Sequence, residues 1–343
     1  MSGFHVGILG ATGAVGQEML KTLMARQFPL SKLTLLASAR SAGQVVTHEG
    51  HSWTVQEATP EAFRGIDILL SSAGGDVSEA LAPAAVAAGC VVIDNTSAFR
   101  MRADVPLVVP EVNAHALDGH RGIIANPNCS TAPLVVVLNA LRQLAPLVRV
   151  VVSTYQSVSG AGKEAMDELR DQTATLLAGG EAVPQHIRYP IAFNLVPAID
   201  AFTANGYTKE ELKVTNESRK ILEDPDLRVT ATAVRVPVMI CHSESVNLEF
   251  ASPVSPSAAR ELLARTAGIT VMDDPATHQY PRPRELAGTD DTYVGRIRED
   301  VSHPCGLNLW LVSDNLRKGA ALNAVQIAEA LVARGLLASP THA

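Results

Sequence analysis

The sequence predicts an α/β protein: an N-terminal, doubly wound parallel sheet followed by an α+β region built on a larger mixed sheet. Three observations carry this reading. From residue 5 to about 125, short apolar runs alternate with helix-length stretches; beyond Asn128 the runs lengthen and alternate polar with apolar; and a helical pattern closes the chain. Short strands that are apolar throughout are those buried on both faces, as in a parallel sheet covered by helices. Period-two alternation marks strands with one buried face.

The elements follow in order. HVGIL (5–9) is the first strand and GQEMLKTLMA (16–25) the first helix; LTLLAS (33–38), DILLSS (67–72), the helix in SEALAPAAVAAG (78–89) and VVIDN (91–95) continue the rhythm. VRVVVSTYQSVS (148–159) and LRVTATAVRVPVMICHSESVNLEF (227–250) supply the longer strands of the second region. Between them TKEELKVTNESRKIL (208–222) reads as a helix, because Thr208 at the N-cap and Glu211 three residues on form a capping box. KGAALNAVQIAEALVARGLL (318–337) has apolar residues at helical spacing and is expected to return to the first domain.

The chain has 343 residues, 47% hydrophobic and 18% charged, enough apolar material for two ordinary domains. Its net charge of -7 and pI of about 5.8 exclude a general affinity for nucleic acid or anionic membrane. MSGFHVGILG lacks the basic and apolar regions of a secretory signal, and the longest mostly apolar run carries Pro83 and Gly89. Cysteines at 90, 129, 241 and 305 show no metal-ligand spacing, so no metal is expected and a reduced cytoplasm fits.

GILGATGAVGQE places Gly7, Gly10, Gly13 and Gly16 between first strand and first helix. Glycines there let the backbone turn and approach a pyrophosphate, which sits on the free N–H groups at the helix start. The spacing is GxxGxxG rather than GxGxxG, and position in the first βα unit makes the motif informative. At the end of the second strand a Rossmann-type fold selecting NAD places an acid; here Ser38, Arg40 and Ser41 stand instead, which suits the 2'-phosphate of NADP. SVSGAGKE imitates a P-loop tail but has Ser157 for the upstream glycine and Glu164 after the lysine, so it is no ATP site.

NPNCSTAPLVVVL (126–138) sets a cysteine between turn formers and an apolar helix. Unpaired N–H groups and the dipole at a helix start favour a thiolate, the reactive form of the side chain. This gain in thiolate is at most about thirtyfold, small beside a typical enzymatic acceleration of about a millionfold, so orientation and a proton-transfer partner must add the rest. Cys90 inside AAGCVVID is read as an inert core residue, as are Cys241 and Cys305. His242 in CHSES is the candidate partner for Cys129, since imidazole exchanges protons near neutral pH.

GATGAVG, SARSAG, DNTSAFR, VPLVVPEVN, NPNCST, YQSVSGAG, the EELK segment, VRVPV with CHSES, and DNLRKGAALNAVQIAE together resemble, in order, the motifs of aspartate-semialdehyde dehydrogenases, from about residue 5 to about 337. The resemblance implies an NADP-dependent enzyme that converts L-aspartyl 4-phosphate to L-aspartate 4-semialdehyde in lysine, diaminopimelate, methionine, threonine and isoleucine biosynthesis. It implies Cys129 as nucleophile, His242 as acid/base, and Gln156 as orienting substrate and acyl-enzyme. Arg235 is implied to clamp the substrate carboxylate, Glu210 to meet the amino group, and Arg100, Asn128 and Lys213 to hold the phosphate. For the dinucleotide it implies Gly10, Thr12, Gly13, Ala14 and Val15 with Ser38, Arg40 and Ser41 around the phosphates, and Ser159, Gly160 and Asn315 on the nicotinamide side.

The implied domains are an NADP-binding domain over 1–127, completed by a C-terminal helix at about 316–343, and a catalytic and dimerisation domain over 128–315; the family also implies a homodimer or homotetramer. Arg40, Arg100, Lys213 and Arg235 are expected to offset the net negative charge locally. One point stands against a regular strand: Arg235 and His242, seven apart, fall on opposite faces, so a bend or bulge near Pro237 is required. The alternatives are an N-acetylglutamyl-phosphate reductase-like or glyceraldehyde-phosphate-type enzyme, against which Arg235 and Glu210 speak, and a non-catalytic dinucleotide-binding scaffold, against which Cys129 with His242 speaks.

Overall fold

The computed structural model describes residues 3–337, so the last six residues of the implied C-terminal helix, 338–343, and the first two of the implied first domain lie outside the described residues. The chain divides into two compact units, residues up to Asn128 with those from Ala320 on, and Cys129–Gly319.

In the first unit, strands β1 (Phe4–Leu9), β2 (Leu30–Ala37), β5 (Gln56–Glu57), β6 (Ile68–Ser71), β7 (Val91–Asp94) and β8 (Ile123–Ala125) form one parallel sheet in the order β5-β2-β1-β6-β7-β8. Helices α1 (Ala14–Ala25) and α2 (Gly75–Ala87) are its first crossovers. The order reverses direction at β1, the switch point where such sheets bind ligands at their carboxyl ends. A short antiparallel hairpin, β3 (Val45–His48) with β4 (His51–Thr54), is inserted after β2; its largely exposed pattern carries no sequence signal of a core strand.

The helix Leu322–Ala333 packs on this sheet: Val325, Ile327, Ala328 and Leu331 join Val6, Ile8, Ile68, Leu70 and Ile93 with Met19 and Leu23 of α1 in one buried cluster. Arg26, the C-cap residue of α1, adds a paired contact to Glu329, 2.7 Å on both of its hydrogen bonds.

In the second unit the sheet is mixed, with order β10-β9-β11-β14-β13-β12. Its strands are β9 (Leu147–Gln156), β10 (Arg228–Arg235), β11 (His242–Phe250), β12 (Ile269–Val271), β13 (Thr292–Glu299) and β14 (Gly306–Ser313). Helices α3 (Thr131–Leu141), α4 (Lys163–Leu177), α5 (Lys209–Ile221) and α6 (Pro256–Ala264) belong to this unit. Ten of the eleven residues of α3 are buried, as an all-round apolar helix requires. The capping box of α5 is present in full, Thr208 Oγ1 accepting from Glu211 N–H and Glu211 from Thr208 N–H, a cap worth about 1 kcal/mol.

The run 227–250 is two strands, not one. β10 runs parallel to β9 on one side and β11 antiparallel on the other, so residues 236–241 cross over the end of β9. The expected bulge at Pro237 is therefore replaced by a full crossing, in which Cys241 takes a left-handed φ of 74°. Face parity along one strand no longer applies, and Arg235 and His242 both come to flank Gln156.

Candidate functional site

Register places the site. Arg235 of β10 pairs with Gln156 of β9, and His242 of β11 lies one step beyond the Ser243–Tyr155 pair and opposite Ser313 of β14. One lateral row on the inner face thus reads Arg235, Gln156, His242, Ser313. The row beneath it reads Ala233, Thr154, Glu244, Leu311, and the next is apolar throughout: Ala231, Val152, Val246, Leu309. Alternation in the sequence aims these side chains inward, and the strand ends set the polar row where the helices begin.

Cys129 stands just ahead of Ser130, the N-cap residue of α3, and its Sγ lies 3.2 Å from His242 Nε2. Gly319 makes room for it: a Cβ there would come within 2.9 Å of Cys129 Cβ and O. Gly160 does the same for the partner, since its Cβ would meet Arg235 Nη1 at 3.0 Å and His242 Nε2 at 3.2 Å. Burial first and the charge of Arg235 second hold the His242 imidazole well below its ordinary pKa, so it is neutral at rest.

Glu210 is 5% exposed and bridges the site, accepting from Gln156 Nε2 at 3.1 Å and Lys213 Nζ at 3.1 Å. The i, i+3 spacing on α5 puts Glu210 and Lys213 on one face. Lys213 also reaches Asp200 at 2.9 Å, a partner that sequence reasoning missed. Burial lowers the Lys213 pKa, but Glu210 and Asp200 together outweigh it and hold the ammonium above its ordinary value. Arg235 is 7% exposed, donates to Ser157 O at 2.7 Å, and lines a cavity of about 480 Å3 with Arg188, Tyr189, Asp200 and Phe202. Ser159 and Asn315 are buried, and Asn315 is engaged by Ser157, Ser159 and the Cys241 N–H.

Glu244 is the outlier. It is 1% exposed, neither carboxyl oxygen has a hydrogen-bond partner, and burial pushes its pKa well above the carboxylate range. Below about pH 4.3 the group is protonated folded or unfolded; above it only the unfolded chain releases the proton, so stability falls as pH rises toward the folded pKa, by about 1.4 kcal/mol per unit. Glu244→Gln should therefore raise the melting temperature at pH 8, with the two melting curves converging near pH 4.

The first unit holds the other predicted residues. Gly7 lies inside β1 rather than in the loop, and a Cβ on Gly16 would sit 2.2 Å from Gly10 O, so Gly16 serves close helix–strand packing. Gly10 has a φ of 85°, in the region that favours glycine. Gly13 is the N-cap of α1 and makes no side-chain cap bond, and no acid stands in the first turn with Ala14 and Val15. The Gly13 N–H is taken by Gly10 O at 3.0 Å, so the N–H groups of Ala14 and Val15 at the helix start are the ones that fit the pyrophosphate of a dinucleotide, with Thr12 half-buried just ahead. Ser38 and Arg40 are exposed and Ser41 half-exposed at the end of β2. Arg100 is buried and donates to Asn126 O at 2.9 Å and Asn95 O at 2.7 Å; Asn128 is 5% exposed.

The remaining thiols differ from Cys129. Cys90 is buried with its pKa pushed up to about 11 by burial, and Cys241 is raised further for the same reason. Cys305 is half-exposed in a turn, not the core residue the sequence suggests. Among the described residues no helix is long and apolar enough to cross a membrane, and no cluster of three or more His, Cys, Asp or Glu suits a metal.

Residues 5–120 match the family model "Semialdehyde dehydrogenase, NAD binding domain", and residues 138–318 match "Semialdehyde dehydrogenase, dimerisation domain". The aspartate-semialdehyde dehydrogenase of Bacillus subtilis is 53% identical over 337 residues, covering 96% of this chain and 97% of the relative. A crystal structure of aspartate semialdehyde dehydrogenase II from Vibrio cholerae complexed with ASA superposes with a TM-score of 0.93 at 48% identity, covering 97% of this chain and 99% of that one. The enzyme from Candida albicans, solved with NADP, gives a TM-score of 0.74 at 27% identity, covering 98% and 100%. With its thiol and imidazole in contact and both halves matched, the chain belongs to the aspartate-semialdehyde dehydrogenase family.

Proposed function

We propose that this chain, as an NADP-dependent enzyme, converts L-aspartyl 4-phosphate to L-aspartate 4-semialdehyde and phosphate, within lysine, diaminopimelate, methionine, threonine and isoleucine biosynthesis. The observation that carries the reading is the 3.2 Å contact of Cys129 Sγ with His242 Nε2, in the row that holds Arg235 and Gln156. Arg235 offers a planar fork for the substrate carboxylate and Glu210 a carboxylate for its amine. An acylated amine has no charge for Glu210 to meet, which disfavours the N-acetylglutamyl alternative. Arg100, Asn128 and Lys213 are assigned to the phosphate.

Cys129 Sγ attacks the acyl carbon, the carbon–oxygen bond to phosphate breaks, and the acyl group stays on sulfur as a thioester. A thioester accepts hydride where a carboxylate does not. The bound dinucleotide supplies the hydride; Gly10, Thr12–Val15, Ser38, Arg40 and Ser41 are assigned to its phosphates and Ser159, Gly160 and Asn315 to its nicotinamide side. His242 holds the proton at the oxygen of the resulting thiohemiacetal and takes it back as that species collapses to aldehyde and thiolate. Gln156, fixed on Glu210, orients the acyl group.

The test is phosphate-dependent formation of NADPH from L-aspartate semialdehyde. No turnover, or turnover indifferent to phosphate, rejects the reading. Arg40→Ala should reduce the preference for NADP over NAD by about ten- to a hundredfold, the worth of a charge-assisted hydrogen bond, read as the ratio of kcat/KM values. The match to a dimerisation domain supports self-association, which we assign as a homodimer or homotetramer working in the cytoplasm.

A further inference from the structure

Two carboxylates share one ammonium beside Gln156. Lys213 Nζ donates to Asp200 Oδ2 at 2.9 Å and to Glu210 Oε2 at 3.1 Å, while Glu210 Oε1 accepts from Gln156 Nε2. Burial pushes the Asp200 carboxyl up, but the bonds from Lys213 and the Ala201 N–H outweigh it, so its pKa lies below the ordinary value and the group is ionised at neutral pH. Asp200, Lys213 and Glu210 therefore carry one net negative charge between them. Glu210 facing Lys213 alone would make a neutral pair, with little attraction for an incoming ammonium. Asp200 supplies the second negative charge. As a substrate ammonium takes up Glu210, Lys213 keeps a carboxylate partner and the four groups together are neutral.

The backbone holds Asp200 in this place. Val196 and Arg235 exchange backbone hydrogen bonds at 3.0 and 2.9 Å, and Ala201 O accepts at 2.9 Å from the N–H of Lys209, the first residue of α5. The segment between is thus tied at one end to β10 and at the other to the helix that carries Glu210 and Lys213. Asp200 takes a left-handed φ of 69°, a region that aspartate enters more readily than most residues, and its Oδ1 accepts from the Ala201 N–H at 2.7 Å. That bond fixes one oxygen and leaves the other to Lys213. Asp200, at the edge of the negative cluster, lines the same cavity as Arg235, so opposite charges border one space. The free end of an amino acid, an ammonium beside a carboxylate, is their complement.

We propose that Asp200 is a positioning residue that sets specificity for the substrate ammonium: it keeps Lys213 paired, so that Glu210 retains a negative charge for the amine of a free amino acid. This rests on the reading above, in which Glu210 meets that amine. The Asp200 side chain is 35% exposed, so solvent screens its charge and the effect is several-fold rather than many orders of magnitude. The phosphate assigned to Lys213 gains nothing from Asp200 and is opposed by its charge. The two substrates should therefore respond to its removal differently.

The test is Asp200→Asn, which keeps the shape and the acceptor for the Ala201 N–H and removes the charge. In the phosphate-dependent direction the KM for L-aspartate semialdehyde should rise about five- to tenfold, with kcat within about twofold and the KM for phosphate unchanged or lower. A rise in both KM values would mean a loosened site and overturn the proposal. The second arm is calorimetric titration of L-aspartate semialdehyde into Cys129→Ser, alone and combined with Asp200→Asn, Lys213→Met or both. Because Asp200 acts through Lys213, Asp200→Asn should weaken binding about five- to tenfold with Lys213 present and less than about twofold without it. An equal loss in both backgrounds would make Asp200 a direct ligand of the substrate and end the role given to it here. Wild-type enzyme without turnover of L-aspartate semialdehyde removes the underlying reading; wild-type turnover with an unchanged KM in Asp200→Asn removes this inference alone.

Discussion

Cys129→Ser should lower kcat by about 10⁴-fold or more while leaving dinucleotide binding intact. A hydroxyl is far less acidic than a thiol, and a His242 held low by burial and by Arg235 is a weak base toward it, so the serine stays protonated at the pH where the thiol reacts. The acyl product would also be an ester, which accepts hydride less readily than a thioester. The glycine loop and α1 belong to the first unit and are untouched by the change, so quenching of bound NADPH fluorescence should be wild type in its titration midpoint. The measurements are steady-state turnover in the phosphate-dependent direction and that titration. A variant within about tenfold of wild type in kcat would remove Cys129 from the chemistry. Loss of NADPH binding in parallel would instead point to a general defect of folding.

Much of this could be read from residues alone, and the limits are physical. Strands β1, β6 and β7 were legible because a sheet buried on both faces leaves runs such as ILL and VVI without polar interruption. The α5 cap was legible because both of its partners lie within four residues. The place of Cys129 just ahead of α3 was legible because a helix start has a local signature. What failed had distant causes. The crossing at 236–241 passes over a strand eighty residues earlier in the chain, and hydrophobic alternation is blind to which strand lies next door. Gly319 falls without comment in the helical pattern of 318–337 until Cys129, nearly two hundred residues upstream, is seen against it. Asp200 and Glu244 were likewise invisible, since their meaning lies in one atom of Lys213 or, for Glu244, in the lack of any partner. Gly7 misled for the opposite reason: its spacing fitted the loop, while its place is in β1, where a Cβ would meet Leu69 at 2.8 Å.

Arg235→Leu should lower kcat/KM by about a thousandfold, most of it in KM. Losing one partner of a buried charged pair costs about 2–5 kcal/mol, and a carboxylate remote from the reacting carbon is held equally in ground and transition states. Arg235→Lys should recover little, because a point charge replaces a planar fork whose guanidinium is anchored by its bond to Ser157 O. A second readout separates this from simple loss of packing. The charge of Arg235 is the second cause, after burial, of the low His242 pKa, so its removal should raise that pKa. A group whose pKa rises becomes protonated at higher pH; the acid limb of the kcat profile should therefore move upward in Arg235→Leu and stay in place in Arg235→Lys. A profile that moves equally in both would mean that the site has loosened and water has entered, and the electrostatic account of His242 would fail with it.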